Sequence, residues 1–316
     1  MPALLYTLAA LGGLALLLLL TAFICFMKVF YSPKRTPLGE DEYEIPPGEE
    51  YEEYRDRIID WTKALRRMPY EELTVRSRDG LTLRGRYYEC NPGGPVELLF
   101  HGYRGNAERD LSGGIFRCFA VKRNVILVNH RGAGDSEGHV ITFGVKECDD
   151  CMLWIHKVME RFGKDVKIYL GGVSMGAATV MMASCRDLPE NVVGILADCG
   201  YTSAEEIIKK VIKEMHLPVK LLYPFVKLGA RLFGGFDLEA TSPFEAVKHA
   251  RVPMIFYHGD ADTFVPAAMT VRCYEACTAA KKLVLVPGAA HGVAFPRDEE
   301  LYVQELQSFI DEHQLP

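Results

Sequence analysis

The chain has no excess of positive charge. Its 36 Lys and Arg are outnumbered by 42 Asp and Glu, giving a formal net charge of −6. Nucleic-acid binding needs a basic stripe and a high pI, so no nucleic-acid partner is expected. There is no internal repeat and no low-complexity tract, which excludes solenoids and disordered scaffolds. No G-x-G-x-x-G opens a helix, so a dinucleotide site is not expected. The nine cysteines carry no metal pattern. Cys148-Asp-Asp-Cys151 is the sharpest pair, no second such pair follows, and Cys273 and Cys277 have no histidine at ligand spacing. Neither a metal nor a cofactor is expected. Free buried thiols in a reducing compartment fit the cysteine usage better than disulfides.

One stretch carries no charge at all. Ala3 to Met27 is dominated by Leu, Ala and Phe, and about 20 such residues span a bilayer. No Lys or Arg precedes the run and no A-x-A-like site ends it, so an uncleaved single-pass anchor (residues 1–28) is expected rather than a secretory signal. Lys28, Lys34 and Arg35 follow the run. The positive-inside bias then puts the rest of the chain in the cytoplasm. Residues 29–48 read as a linker, rich in Pro and Gly with an acidic cluster (Pro33, Pro37, Pro46, Pro47, Gly39, Gly48).

Residues 49–316 read as one domain. Tyr51, Tyr54, Ile58, Trp61 and Leu65 recur at helical spacing. A hairpin follows, turning at Asp79-Gly80. Short apolar runs then alternate with helical stretches, from Glu97-Leu-Leu-Phe to Leu283-Val-Leu-Val. That rhythm predicts about six parallel strands with helices on both faces, an α/β class. Residues 201–241 break it with a mostly helical insertion, expected to lie over the site as a lid.

The chemistry is concentrated in Gly172-Val173-Ser174-Met175-Gly176, between an apolar strand and a helical run. This is G-x-S-x-G in a strand–turn–helix context. The serine needs a sharp turn to expose its hydroxyl, and side chains at the flanking glycines would clash with nearby backbone. The Met175 N–H then faces a developing oxyanion. Serine also needs a base. His291 fits, in a loop after the last apolar strand; His130 also ends a strand, earlier in the chain. The imidazole needs a carboxylate. Asp262 and Asp198 both follow strands between Ser174 and His291, so chain order does not choose between them. Asp260 could instead shape the loop. The Tyr103 N–H, after the turn at Gly102, is the candidate second oxyanion donor.

Together these motifs resemble the α/β-hydrolase superfamily, especially bacterial membrane-anchored hydrolases of the serine aminopeptidase-like and dienelactone-hydrolase-like group. The resemblance covers about residues 70–313. It rests on H-G-Y-R-G-N from His101, N-H-R-G-A-G-D-S-E-G from Asn129, T-F-G-V-K-E from Thr142, G-V-S-M-G around Ser174, D-C-G-Y-T-S from Asp198, G-D-A-D-T-F-V-P from Gly259 and A-H-G at His291. It implies an α/β-hydrolase fold with Ser174 as nucleophile, His291 as base, Asp262 as acid, and Tyr103 and Met175 as oxyanion donors. The Arg131 to Gly138 loop is structural by the same resemblance. The expected activity is hydrolysis of small or lipid-like carboxylic esters with apolar acyl groups. A peptidase or amidase on the same triad is the alternative enzyme, and a membrane-tethered binding protein the alternative of another class.

Overall fold

The computed structural model describes residues 2–34 and 38–316. Arg35 and Pro37, part of the basic cluster and linker read above, lie outside the described residues. The chain begins with helix α1 (Pro2–Val29). Helix α2 (Arg55–Arg67) follows a short 3₁₀ turn. The body then runs β1 (Glu71–Arg76), β2 (Thr82–Tyr88), β3 (Val96–Phe100), α3 (Ala107–Ala120), β4 (Asn124–Val128), α4 (Glu147–Phe162), β5 (Ile168–Val173), α5 (Met175–Ala183) and β6 (Val192–Asp198). After β6 come α6 (Ala204–Glu214), α7 (Val219–Leu232) and α8 (Pro243–Val247). The chain ends with β7 (Met254–Gly259), α9 (Ala267–Ala276), β8 (Lys281–Val286), α10 (Ala294–Arg297) and α11 (Glu299–Glu312).

The eight strands form one sheet in the order β1-β2-β4-β3-β5-β6-β7-β8. The β1–β2 and β2–β4 pairs are antiparallel and the others parallel. The expected hairpin and the expected run of parallel strands are both present. β3 and β4 are buried at every position, as strands covered on both faces must be. Hydrophobic clusters lie on either side of the sheet, one centred on Leu98, Leu170, Trp154 and Val180, another on Tyr257, Tyr302 and Phe309. Chain order reverses around β3, so the crevice at the carboxyl ends of β3 and β5 is where such a sheet binds ligands.

Glu97 of β3 is fully buried among apolar neighbours. Arg117 lies 2.6 Å from one carboxylate oxygen and Arg123 2.9 Å from the other. Burial alone would raise its pKa, but the two guanidinium groups hold it below the usual carboxylate range.

α1 is long and apolar enough to cross a membrane, and most of its length is exposed. Its C-terminal turns are not: Ala22 and Phe26 are buried against α7. A Cβ on Gly229 of α7 would meet the Ala22 carbonyl oxygen at 2.6 Å, so glycine permits this close approach. The residues that follow, read from composition as the start of a linker, are docked. Phe30 is fully buried, its ring packed edge-on against Phe143 and Phe236. Tyr31 forms an antiparallel bridge with Val140, and the Ser32 N–H donates to the His139 carbonyl at 2.8 Å. Pro and Gly disfavour helix, but extended backbone can pair with a neighbour as readily as hang free, and composition does not distinguish the two.

Candidate active site

Ser174 sits on the turn between β5 and α5 with φ 56° and ψ −113°, a strained conformation for a non-glycine residue. Its flanking glycines are required by contact. A Cβ on Gly172 would run into the Gly176 backbone, and one on Gly176 into the Phe100 carbonyl. The Ser174 N–H donates to the Asp198 carbonyl at 2.8 Å, tying the turn to β6.

Two loops complete the arrangement. His291 follows β8, and its Nε2 lies 3.0 Å from Ser174 Oγ. Asp262 follows β7, and its Oδ2 lies 2.7 Å from His291 Nδ1. A carboxylate only accepts, so Nδ1 carries the proton and Nε2 is left to accept from the serine hydroxyl. Asp262 Oδ1 accepts from the Phe264 and Val265 N–H groups at 2.9 and 2.8 Å. Burial would raise the Asp262 pKa, but hydrogen bonds from His258 and His291 lower it to about 2. Asp260 Oδ1 accepts from the Gly288 N–H at 2.6 Å, which joins the acid loop to the histidine loop.

Asp198 takes a different position. Its Oδ2 accepts from the Tyr302 hydroxyl at 2.9 Å, its Oδ1 has no hydrogen-bond partner among the described residues, and no hydrogen bond joins it to His291. Burial raises its pKa. His130 is buried, with burial holding its pKa well below the usual value. Its N–H donates to His101 Nε2 at 3.1 Å, so these two histidines brace the loops after β3 and β4.

The Tyr103 and Met175 N–H groups donate to no other protein group among the described hydrogen bonds. The Tyr103 side chain is anchored instead. Its hydroxyl donates to the Val29 carbonyl at the end of α1 at 2.7 Å. The neighbouring Arg104 guanidinium donates to the Lys28 and Tyr31 carbonyls at 2.8 and 3.0 Å.

This sheet order, with its serine turn, has known relatives. A family model described as the alpha/beta hydrolase fold matches residues 95–238. The chain has the α/β-hydrolase fold. The chain is 25% identical over 189 residues to the Bacillus subtilis protein YqkD, a match that covers 60% of this chain and 62% of YqkD. It is 25% identical over 282 residues to the Schizosaccharomyces pombe protein bem46, covering 87% of this chain and 83% of bem46. Among solved structures it is similar to the Pyrococcus furiosus esterase Pf2001, with a TM-score of 0.66 and 20% identity, covering 90% of this chain and 98% of the esterase. The resemblance read from the motifs is thus borne out at the level of the superfamily. The fold is the one the matching family model describes.

Other motifs of the chain explain themselves structurally. Arg131 donates to both oxygens of Asp150 at 2.8 Å and to Asp79, which fixes the loop after β4. Glu147 accepts from the Thr142 and Gly144 N–H groups and from the Thr142 hydroxyl. That closes the loop presenting Phe143, whose ring meets those of Tyr103 and Tyr201. Cys148 and Cys151 are free thiols buried on α4.

Sequence reasoning assigned no role to His258. Its Nε2 lies 3.0 Å from Asp262 Oδ2 and 2.8 Å from the Val265 carbonyl, and its Nδ1 lies 2.7 Å from Thr270 Oγ1. It therefore holds the acid from behind. The available signal was its place in His258-Gly-Asp-Ala-Asp262, four residues before the acid. A cleft of ≈990 Å³ lies elsewhere, between residues 38–44 and the Asn129 to Asp135 loop. None of Ser174, Asp262 and His291 lines it. A pocket of ≈70 Å³ lies behind the serine turn, lined by Tyr51, Val173, Asp198 and Gly292.

Proposed function

We propose that the chain is a serine hydrolase cleaving carboxylic esters through an acyl-enzyme. The observation that carries this reading is the hydrogen-bonded line from Ser174 Oγ through His291 to Asp262 Oδ2, at 3.0 and 2.7 Å. Ser174 Oγ attacks the ester carbonyl and its proton passes to His291 Nε2. Asp262 keeps Nδ1 protonated and stabilises the imidazolium. The carbonyl oxygen becomes an oxyanion facing the Tyr103 and Met175 N–H groups. Collapse expels the alcohol, which takes the proton from His291. Water, deprotonated by the same histidine, then hydrolyses the acyl-serine and frees the acid.

Aromatic rings around the site support an apolar acyl group. Phe264 meets the His291 ring edge-on at 5.0 Å, and Tyr103 packs against Phe143 at 5.1 Å. We also read residues 1–28 as a membrane anchor, 29–48 as the connection and 49–316 as the catalytic domain, with residues 201–241 as a lid. Lys28 and Lys34 support a cytoplasmic domain.

The test is a serine-directed fluorophosphonate followed by a substrate comparison. Wild type should label and Ser174→Ala should not, while circular dichroism of the two stays the same. Failure of the folded wild type to label leaves a binding protein as the better reading. p-Nitrophenyl esters should turn over faster than aminoacyl anilides; the reverse order would make the chain a peptidase or amidase. Rates should rise from acetyl to medium-chain esters, and a peak at acetyl would remove the apolar acyl group.

A further inference from the structure

Helix α7 carries two apolar stripes. Tyr223, Val226 and Ala230 are buried and face the body. Leu221, Phe225, Leu228 and Leu232 recur at spacings of four, three and four, which places them along another side of the helix. Leu221 and Leu232 are 60% and 53% exposed, and Phe225 and Leu228 are only half-buried. One stripe suffices to pack a helix on a domain. The second continues into the α6–α7 turn, where Met215 and Leu217 are also exposed.

The surroundings identify what covers this stripe. Its end is continuous with α1. The Phe233 ring meets Phe23 edge-on at 5.2 Å and lies 5.8 Å from Phe26. At 1.5 Å per residue, about 20 residues fill a bilayer core. The run from Ala3 to Ala22 has that length, and Phe23 follows it. The first basic residue, Lys28, lies about 7.5 Å further along the axis. Phe23, and Phe233 with it, therefore sit where hydrocarbon gives way to headgroups. The opposite end of the stripe is flanked by Lys213 and Lys220, both exposed and neither in an ion pair among the described residues. Exposed apolar side chains bordered by lysines are the composition of a helix lying in an anionic lipid interface.

We infer that the second stripe of α7 and the α6–α7 turn dock on the anionic phospholipid bilayer that α1 spans, so that the body rests on the membrane surface. This rests on the reading of α1 as a span. The docked face is also close to the chemistry. Lys210 of α6 lies 5.9 Å above the Phe264 ring, which in turn touches His291. A bilayer against α6 and α7 sets the candidate site beside the lipid surface.

The test uses the full chain in phosphatidylglycerol-containing vesicles whose acyl chains are brominated near the headgroup or near the chain end. Leu221→Trp, Leu232→Trp and, within the span, Leu14→Trp are compared with the parent, whose own Trp61 and Trp154 supply the background. A ring about 5–10 Å deep should lose about half its added emission to the shallow bromines and less to the deep ones. That is the expected result for Leu221→Trp and Leu232→Trp, with Leu14→Trp quenched best by the deep bromines. Deep quenching at residue 14 without quenching at 221 and 232 overturns the docking and leaves the span standing. Blue-shifted but unquenched emission at 221 and 232 means protein covers the stripe, and also overturns it. No quenching at residue 14 removes the span itself, and the docking falls with it.

Discussion

Replacing Asp262 by Asn should remove catalysis by reversing one imidazole. Both oxygens of Asp262 accept two hydrogen bonds: Oδ1 from the Phe264 and Val265 N–H groups, Oδ2 from His291 and His258. The backbone donors cannot turn away, so the Asn oxygen must serve them. Its NH₂ then faces His291 Nδ1, which becomes an acceptor. The proton moves to Nε2, facing Ser174, and the base is lost. A tautomer error of this kind costs about 10⁴ in kcat, or about 5 kcal/mol at 1.36 kcal/mol per tenfold. Asp198→Asn keeps the Tyr302 hydrogen bond and touches no imidazole, so kcat/KM should stay within about tenfold of wild type, less than 1.4 kcal/mol. The same substitutions report on stability. The Asp262 pKa falls from 3.8 to about 2 on folding. Its carboxylate therefore stabilises the fold above about pH 4, by about 2 kcal/mol. That contribution is lost as pH falls towards 2, so the wild-type advantage over Asp262→Asn in urea melts should shrink across this window. Steady-state kinetics on a p-nitrophenyl ester checks the first claim. A folded Asp198→Asn more impaired than Asp262→Asn would refute the assignment of the acid.

Tyr103→Phe removes only the hydroxyl that donates to Val29, a hydrogen bond of about 1 kcal/mol; kcat should fall several-fold with KM little changed, and a transition-state-mimicking trifluoromethyl ketone should weaken in proportion. Glu97→Ala strands two buried guanidinium groups and should destabilise by about 3–5 kcal/mol in denaturant titration, with kcat per folded molecule unaltered. Iodoacetamide on the native protein should reach Cys90 and Cys185, which are exposed, ahead of the buried thiols. Burial pushes Cys148 up to about 11 and Cys273 up to about 12, so peptide mapping should find both alkylated only after unfolding.

The local demands were the legible ones. Gly172 and Gly176 announce the serine turn because the clashes they avoid involve backbone within a few residues or in the adjacent strand. The alternation of apolar runs and helices announces the sheet because burial on both faces leaves no polar position in β3 or β4 apart from Glu97 and Asn124. Long-range choices were not legible. Asp198 ends β6 and Asp262 follows β7, both between the serine and the histidine; chain order leaves them level, only the motif resemblance favours Asp262, and the physical separation appears when Tyr302 of α11 claims Asp198. The place of His258 depends on Thr270 in α9 packing across β7. Docking of residues 29–34 depends on a bridge to Val140, more than 100 positions away, and no composition rule reports that.

The clamp between Tyr103, Arg104 and the end of α1 bears on how this protein can be handled. The acceptors are main-chain carbonyls of Lys28, Val29 and Tyr31, so they survive any side-chain change but not a cut. A fragment starting at Gly48, the obvious choice for soluble material, discards all three along with Phe30. What remains is a loop carrying a candidate oxyanion donor with its outer wall gone. Rates measured on such a fragment would describe the injury. A cut made ahead of Ala22 sheds most of the uncharged run yet leaves the wall in place.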